Sequence, residues 1–161
     1  IAVQASLTGH LVLATLHTND SASAVTRLVD MGVEPFMLAS SLVGVLAQRL
    51  VRRLCSACRR SYAPDNAELA QFEGCAPPRE LYRAPGCAAC NRTGYRGRMG
   101  IYELLEVDDP LRHMIHERAS EQRIRDHCVS AAALRPLKND GLRWVANGDT
   151  TLDEVLRVTR E

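Results

Sequence analysis

Two closely spaced pairs of cysteines constrain the fold of this chain more than any other feature of its sequence. Cys55 and Cys58 form one C-x-x-C motif, and Cys87 and Cys90 form a second, separated from the first by residues 59–86. Two intervening residues allow both thiolates of a pair to bind one ion from a tight turn, and two such turns complete a tetrahedron. Because thiolates are soft ligands, the pattern predicts a structural zinc ion bound by all four cysteines. Four thiolates leave no open coordination position, so this zinc would not be catalytic.

The segment around these motifs needs such a support, because residues 51–100 are rich in proline and show little hydrophobic periodicity. A single C-x-x-C can act as a redox pair, and disulfides form in oxidising compartments. Two motifs in one irregular insert are explained more simply by one metal ion, and we expect no signal peptide and therefore no oxidising compartment. Cys75 and Cys128 match no ligand spacing, and we expect packing roles for both or, for Cys75, an exposed thiol.

The overall charge of the chain argues against a polyanion as its main partner. The 161 residues include 20 Lys and Arg against 19 Asp and Glu, which gives a net charge of +1, whereas nucleic-acid-binding domains are usually far more basic. No apolar run approaches the length of a membrane-spanning helix. Several arginines nevertheless lie near the cysteine motifs, either as a phosphate-binding face or as a solvated surface that partly neutralises a zinc tetrathiolate. These arginines are Arg49, Arg52, Arg53, Arg59, Arg60, Arg92, Arg96 and Arg98.

The order of predicted elements is typical of an α/β fold, because helices alternate with short apolar runs. Helix starts are marked by capping residues or proline, and helix ends by glycine. The predicted strands are His10–Leu16 and Met99–Val107. The predicted helices cover the segment up to Thr8, Ala22–Met31, Pro35 to about Gln48, 111–118, 120–133, 137–146, and a last helix that follows a capping box at Thr151–Glu154 and ends near Thr159.

Two histidines flank the first predicted strand, and His17 follows its carboxyl end, where α/β sheets bind ligands. It could contact a phosphate or orient water, or it could be a loop histidine bonded to nearby backbone. His10, at the start of the strand, has the more structural position. His113 and His116 are spaced as half a metal site, but no third ligand has a suitable spacing, so we expect a solvated face for them and for His127. The sequence contains no G-x-x-x-x-G-K-[ST] loop, so local motifs alone give no complete active site.

Four segments of the chain together resemble one known family. TGHLVLATLHTND at residues 8–20 and AQRLVRRLC at 47–55, which leads into the first cysteine motif, resemble the His box and the segment that follows it in the superfamily of secretion ATPases, and in particular in the E-component ATPases of type II secretion systems. GCAACNRTGYRGRMGIYELL at 86–105 and NDGLRWVANGDTTLDEVLRVTRE at 139–161 complete a match over nearly the whole chain. Type IV pilus extension ATPases carry the same cysteine motif, although the LRVTRE ending favours the secretion branch.

The resemblance implies the C-terminal part of a RecA-like ATPase domain with an inserted four-cysteine zinc module. Residues 1–50 would belong to the ATPase core and carry the His box, 51–100 would form the zinc module, and 101–161 would form a C-terminal strand and helical subdomain. The match makes His17 and His10 the candidate catalytic residues, and places the family's zinc ligands at the four cysteines of the two motifs.

The resemblance also implies a homo-hexameric, cytoplasmic ATPase that uses ATP and magnesium to power type II protein secretion. Such a protein would lie peripherally at the inner membrane, bound to the cytoplasmic domain of the L-component and to the F-component. The chain opens on Ile1 within an apolar segment, so we expect a fragment whose P-loop and Walker B carboxylate lie upstream. We expect this fragment to be inactive alone. An alternative of another class is a non-enzymatic zinc module that binds nucleic acid or protein partners.

Overall fold

The computed structural model describes residues 2–131 and 134–160, which form a mixed α/β structure and confirm the predicted class. Strands β1 and β4 form one two-stranded sheet, and β2 pairs antiparallel with β3 in another. The strands span Gly44–Leu54 (β1), Arg60–Tyr62 (β2), Leu81–Arg83 (β3) and Tyr95–Glu106 (β4). The described helices span Ala2–Leu7 (α1), Ser21–Asp30 (α2), Pro35–Ser41 (α3), Asn66–Ala70 (α4), Asp109–His116 (α5), Glu121–Ser130 (α6), Leu137–Ala146 (α7) and Leu152–Thr159 (α8).

The chain divides into two compact units. The first comprises Ile1–Ala47 and Glu103–Arg135, and the second comprises Gln48–Tyr102 and Pro136–Glu161. Two of the three boundaries between the units fall inside β1 and β4, and the third lies between Arg135 and Pro136, just before α7. The division into 1–50, 51–100 and 101–161 follows motifs rather than compactness, and it stays a prediction.

The core of the first unit lies where α2 packs against α6 and α3 packs against α5. Asp20 caps α2 by accepting a hydrogen bond from the Ser23 backbone, and Pro35 opens α3, so both helices begin where the sequence predicts. Full burial of each large aliphatic side chain contributes about 1.5–3 kcal/mol. The buried members of this core are Ala22, Val25, Leu38, Ala39, Leu105, Val107, Leu111, Ile115, Ile124, Cys128 and Leu134.

The strand predicted at His10–Leu16 is absent, and that prediction is wrong. The segment is irregular, with Leu11 85% exposed and Leu13 89% exposed. A strand exists only by hydrogen bonding to a neighbour, and no strand of residues 2–131 or 134–160 pairs with this segment. Its apolar side chains therefore lie on the surface of the described chain rather than inside a sheet.

The helix predicted from Pro35 to about Gln48 is also partly wrong, because it ends at Ser41 and β1 follows from Gly44. Exposed and half-buried residues alternate along the first part of β1, as in a strand. Short apolar runs do not distinguish helix from strand. Tertiary pairing decides here, and the backbone N–H of Val107 donates to the carbonyl of Val43 at 3.0 Å where the start of β1 meets the end of β4.

The C-terminal helices confirm the sequence prediction more closely, because their caps are local. Asp108, Ser120 and Thr151 each accept a hydrogen bond from a backbone N–H three residues later, at the starts of α5, α6 and α8. Helix α6 ends at Ser130, and residues 132 and 133 of its predicted span lie outside the described residues. None of the helices described in 2–131 and 134–160 has the length and apolar character needed to span a membrane.

Candidate metal centre

The two cysteine motifs meet in the second unit. The Sγ–Sγ distances are 4.0 Å for Cys55 and Cys87, 3.9 Å for Cys58 and Cys90, and 3.8 Å for Cys87 and Cys90. All four sulfur atoms lie within 4.8 Å of one another. A tetrahedral ion with Zn–S bonds of about 2.3 Å requires sulfur atoms about 3.8 Å apart. Both the donor type and the spacing therefore match a four-thiolate metal site.

Backbone N–H groups support the second motif. The N–H groups of Cys87 and Gly94 donate to the Sγ of Cys90 at 3.1 and 3.2 Å. The N–H of Arg92 donates to the carbonyl of Cys87 at 2.8 Å and closes the turn between them. Because the Cys87 N–H favours the charged form, the pKa of Cys90 falls to about 6. The backbone is thus arranged around a thiolate.

The first motif has a similar turn, and its second thiol also accepts a backbone hydrogen bond, from Gly86. The N–H groups of Cys58 and Arg59 donate to the carbonyl of Cys55 at 3.2 and 2.9 Å. Burial and hydrogen bonding to Cys87 raise the pKa of the Cys58 thiol to about 12. Four thiols this close together cannot all lose their protons unless a cation lies among them. A bound metal ion supplies that charge and deprotonates the thiols that coordinate it.

The turn that follows the second motif depends on glycine, and this gives a first prediction. Gly94 has a φ of +77°, and a Cβ added there would lie 2.5 Å from the carbonyl oxygen of Ala84. We expect Gly94→Ala to lower the free energy of unfolding by at least about 2 kcal/mol, from left-handed strain plus a backbone clash. Denaturant titration of the metal-loaded protein measures the change. Gly97→Ala is the matched control, because Gly97 has a φ of +78° with open space around it and should show only the strain of about 1 kcal/mol.

Arginines beside the first motif bind the C-terminal residues of the second unit. Sequence analysis suggested a phosphate-binding face or a solvated surface for them, and neither interpretation included these contacts. Arg53 lies 3.3 Å from the carboxylate of Asp149. The guanidinium of Arg59 donates to the carbonyl of Gly148 at 2.6 Å. These contacts attach the segment before α8 to the cysteine motif.

The strongest of these contacts involves Glu154, a residue that sequence analysis treated only as part of a capping box. Its carboxylate accepts hydrogen bonds from the guanidinium groups of Arg52 and Arg157, both at 2.7 Å, and from the Arg52 backbone N–H at 3.0 Å. Only half of the box forms: Thr151 Oγ1 accepts from the Glu154 N–H at 3.3 Å, while the Glu154 carboxylate turns to the arginines. Although burial alone would raise it, the pKa of Glu154 is held at about 2 by Arg157 and Arg52. The pairing of Glu154 with Arg157, three residues later on α8, is the only part that the sequence could have suggested.

None of the candidate histidines belongs to the four-sulfur cluster, and all of them lie in the first unit. His17 is exposed and makes no hydrogen bond with the rest of the described chain. His10 is also exposed, with its Nδ1 3.1 Å from Thr8 Oγ1. His113 and His116 are exposed, and neither belongs to a group of three potential metal ligands within residues 2–131 and 134–160. The solvated position expected for His127 is wrong, because its Nε2 lies 3.0 Å from Asp108 Oδ2 and its side chain is 19% exposed.

The two remaining cysteines lie outside the cluster. Cys128 is 2% exposed within the core of the first unit, which confirms its predicted packing role. Cys75 is half-buried. Neither belongs to the four-sulfur group.

A comparison with protein families matches residues 1–157 to the family described as type II/IV secretion system protein. The chain belongs to that family. This confirms the resemblance drawn from the His box and the cysteine motifs.

Several relatives align with the whole chain. They include the type II secretion system protein HxcR of Pseudomonas aeruginosa at 58% identity, the type II secretion system ATPase E of Vibrio cholerae at 55%, and the type IV pilus assembly ATPase PilB of Thermus thermophilus at 48%. The chain covers 31%, 32% and 18% of these proteins, respectively. It thus spans about a third of the length of its type II relatives.

The fold of this family member also resembles a solved structure, the pilus retraction motor PilT with bound ADP. The TM-score is 0.63 at 20% sequence identity, and the match covers 99% of this chain and 35% of the PilT chain. At this identity the likeness concerns the fold alone.

Proposed function

We propose that the longer protein to which this chain belongs hydrolyses ATP to power type II protein secretion. The observation that carries the proposal is the 55% identity, over the whole chain, with a protein named type II secretion system ATPase E. The chain spans 32% of that relative. ATP and magnesium would therefore be bound largely by the P-loop and Walker B residues of the remaining protein, which the resemblance places upstream.

Within this proposal residues 1–50 belong to a RecA-like core, and His17 is the residue that acts toward the nucleotide. Phosphoryl transfer depends on positioning and on stabilising the charge of the phosphate oxygens. An imidazole can donate a hydrogen bond to such an oxygen. The exposed side chain of His17 is available for this role, and His10 is the second candidate.

We also propose that residues 51–100 form a module around a structural zinc ion bound by Cys55, Cys58, Cys87 and Cys90. The sulfur spacing supports zinc, and the soft donor set favours it over magnesium or calcium. When bound, the ion supplies four metal–sulfur bonds that tie the two motifs together. Residues 101–161 form the strand and helical subdomain that completes the protein's C-terminal part.

The assembly follows from the family as a further proposal. The intact protein would form a homo-hexamer in the cytoplasm, peripheral to the inner membrane through the L-component cytoplasmic domain and the F-component. Relatives named as type II secretion system proteins support this placement. We do not propose nucleic-acid binding, because three of the arginines near the first motif contact other residues of the second unit. These are Arg52, Arg53 and Arg59.

A second candidate function is pilus assembly, favoured by the 48% identity with the PilB ATPase of Thermus thermophilus. Type II relatives match at 55–58% and support the secretion branch more strongly. Deleting the gene decides between the two. Loss of secreted proteins from the medium with surface pili retained would support secretion, and loss of pili with secretion retained would support pilus assembly.

The catalytic proposal gives a second prediction. We expect the intact protein to release phosphate from ATP, and His17→Ala to lower kcat about 100-fold, within the range for a residue that stabilises transition-state charge. The measurement is steady-state phosphate release with magnesium present. His116→Ala is the matched control, because His116 is an exposed histidine on α5, and it should keep wild-type kcat. Residues 1–161 alone should release no phosphate. Wild-type turnover in His17→Ala would remove His17 from the mechanism, and turnover by the chain alone would contradict its expected inactivity.

A further inference from the structure

We infer that Glu103 is a positioning residue for His17, and that it acts by fixing the turn of residues 18–21 at the start of α2. The inference rests on the proposed role of His17 toward the nucleotide. Every contact that carries it lies within the first unit.

Glu103 lies on the buried side of β4 and is 3% exposed. Its Oε1 accepts a hydrogen bond from the backbone N–H of Ser21 at 2.9 Å, and the Ser21 hydroxyl donates to the same oxygen. Ser21 is the first residue of α2 and is fully buried. A strand residue thus binds the first turn of a helix that is 82 positions away in sequence.

Stability alone does not explain why a carboxylate occupies position 103. Ile101 and Leu105 lie on the same side of β4, and both are fully buried. A buried charge carries a large desolvation penalty, and an apolar residue of similar size is often as stabilising or more so. What a carboxylate supplies is a directed acceptor for the N–H and hydroxyl of Ser21, and therefore a defined position for the turn.

A second contact holds the same turn from α6. Asp20 accepts from the Ser23 backbone through Oδ1 at 2.8 Å, and its Oδ2 lies 2.6 Å from the guanidinium of Arg125. The Thr18 hydroxyl also donates to the Asp20 carbonyl at 3.1 Å. Although burial opposes it, hydrogen bonds from Ser23 and Arg125 hold the pKa of Asp20 below its usual range.

The hydrogen-bonded turn of residues 18–21 contrasts with the exposed side chain of His17, and this contrast suggests the function of the contacts. Thr18, Asp20 and Ser21 are all hydrogen-bonded, while the adjacent His17 side chain projects to solvent. Functional side chains work best when supporting residues fix their backbone, because a displacement of about 1 Å can lower a rate about 100-fold. Glu103 and Arg125 supply such support for His17.

A double-mutant cycle in the intact protein tests the inference through kcat for ATP hydrolysis. We expect Glu103→Ala to lower kcat about 10- to 100-fold with KM changed by less than about 3-fold. In a His17→Ala background the same change should lower kcat by less than about 2-fold, because Glu103 acts through His17. Glu103→Gln retains an oxygen acceptor and should restore kcat to within about 3-fold of wild type. An equal loss from Glu103→Ala in both backgrounds would overturn the inference.

Amide hydrogen exchange of the peptide covering 18–23 provides a readout that does not depend on activity. Glu103→Ala should accelerate its exchange by at least about 10-fold, since the Ser21 N–H loses its acceptor. Glu106→Ala is the matched control, because Glu106 is an exposed carboxylate on β4 in the same unit, and it should leave this peptide unchanged. Unchanged exchange in Glu103→Ala would overturn the positioning role. Wild-type kcat in His17→Ala with accelerated exchange in Glu103→Ala would instead reject the proposed role of His17 and retain the contact that fixes the turn.

Discussion

Replacing Cys87 with Ser should abolish stoichiometric metal binding and unfold the segment between the two cysteine motifs. Cys87 lies within 4.0 Å of the sulfur atoms of Cys55 and Cys90, so its loss removes a ligand from the middle of the cluster. Binding of structural zinc to four-thiolate sites is worth about 10–16 kcal/mol at neutral pH. Few large side chains between the motifs are buried, with Phe72 and Leu81 the main ones. The segment therefore has little apolar packing with which to offset the loss.

The experiment measures bound zinc per chain by elemental analysis and folding of the segment by hydrogen exchange. We expect about one zinc per chain in the wild-type protein and almost none in Cys87→Ser, together with rapid exchange over residues 55–94. Cys75→Ser is the matched control, because Cys75 lies in the same segment but outside the four-sulfur group. Full zinc content and unchanged exchange in Cys87→Ser would contradict the metal assignment. Zinc loss in Cys75→Ser would contradict the ligand set.

Glu154→Gln is expected to destabilise the protein strongly at neutral pH. Glu154 is 1% exposed and binds two arginines whose side chains are 48% and 59% exposed. A carboxyl group with a pKa of 4.5 in the unfolded chain and about 2 in the folded protein contributes about 3 kcal/mol at neutral pH. Loss of the charge removes this contribution, and we expect the free energy of unfolding to fall by about that amount at pH 7.

The pH dependence of this difference has a defined sign. Because folding lowers the pKa of Glu154, its contribution is fully present above pH 4.5 and is lost as the pH falls toward about 2. The difference in unfolding free energy between wild type and Glu154→Gln should therefore be largest at neutral pH and shrink between these values. Taking the difference at each pH cancels the protonation of the cysteines, which both proteins share.

The control for this prediction lies next to Glu154 on the first turn of α8. Asp153 is exposed, so Asp153→Asn should change the free energy of unfolding by less than about 0.5 kcal/mol at any pH. Denaturant titrations from pH 3 to pH 7 measure all three proteins. A difference between wild type and Glu154→Gln that stays constant over this range would show that packing, rather than charge, accounts for the effect of the substitution.

Interactions within a few residues were predictable from the sequence alone. The C-x-x-C spacing brought each pair of thiols onto a tight turn, and the caps of α2, α5 and α6 followed from Asp20, Asp108 and Ser120. In each case the donor and the acceptor lie within about one turn of each other, so local backbone geometry decides the contact. Matching the cysteine motifs and the His box to the secretion ATPases also required only contiguous residues.

The tertiary structure decided what lies far apart along the chain. Residues 44–54 became a strand because β4 offers a pairing partner, and residues 10–16 did not because no described strand pairs with them. Glu154 binds Arg52 across 102 positions and Glu103 binds Ser21 across 82. Sequence periodicity reports which residues favour burial but not which element covers them. The partners of both buried carboxylates, and with them the proposed support for His17, emerge only when packing brings distant segments together.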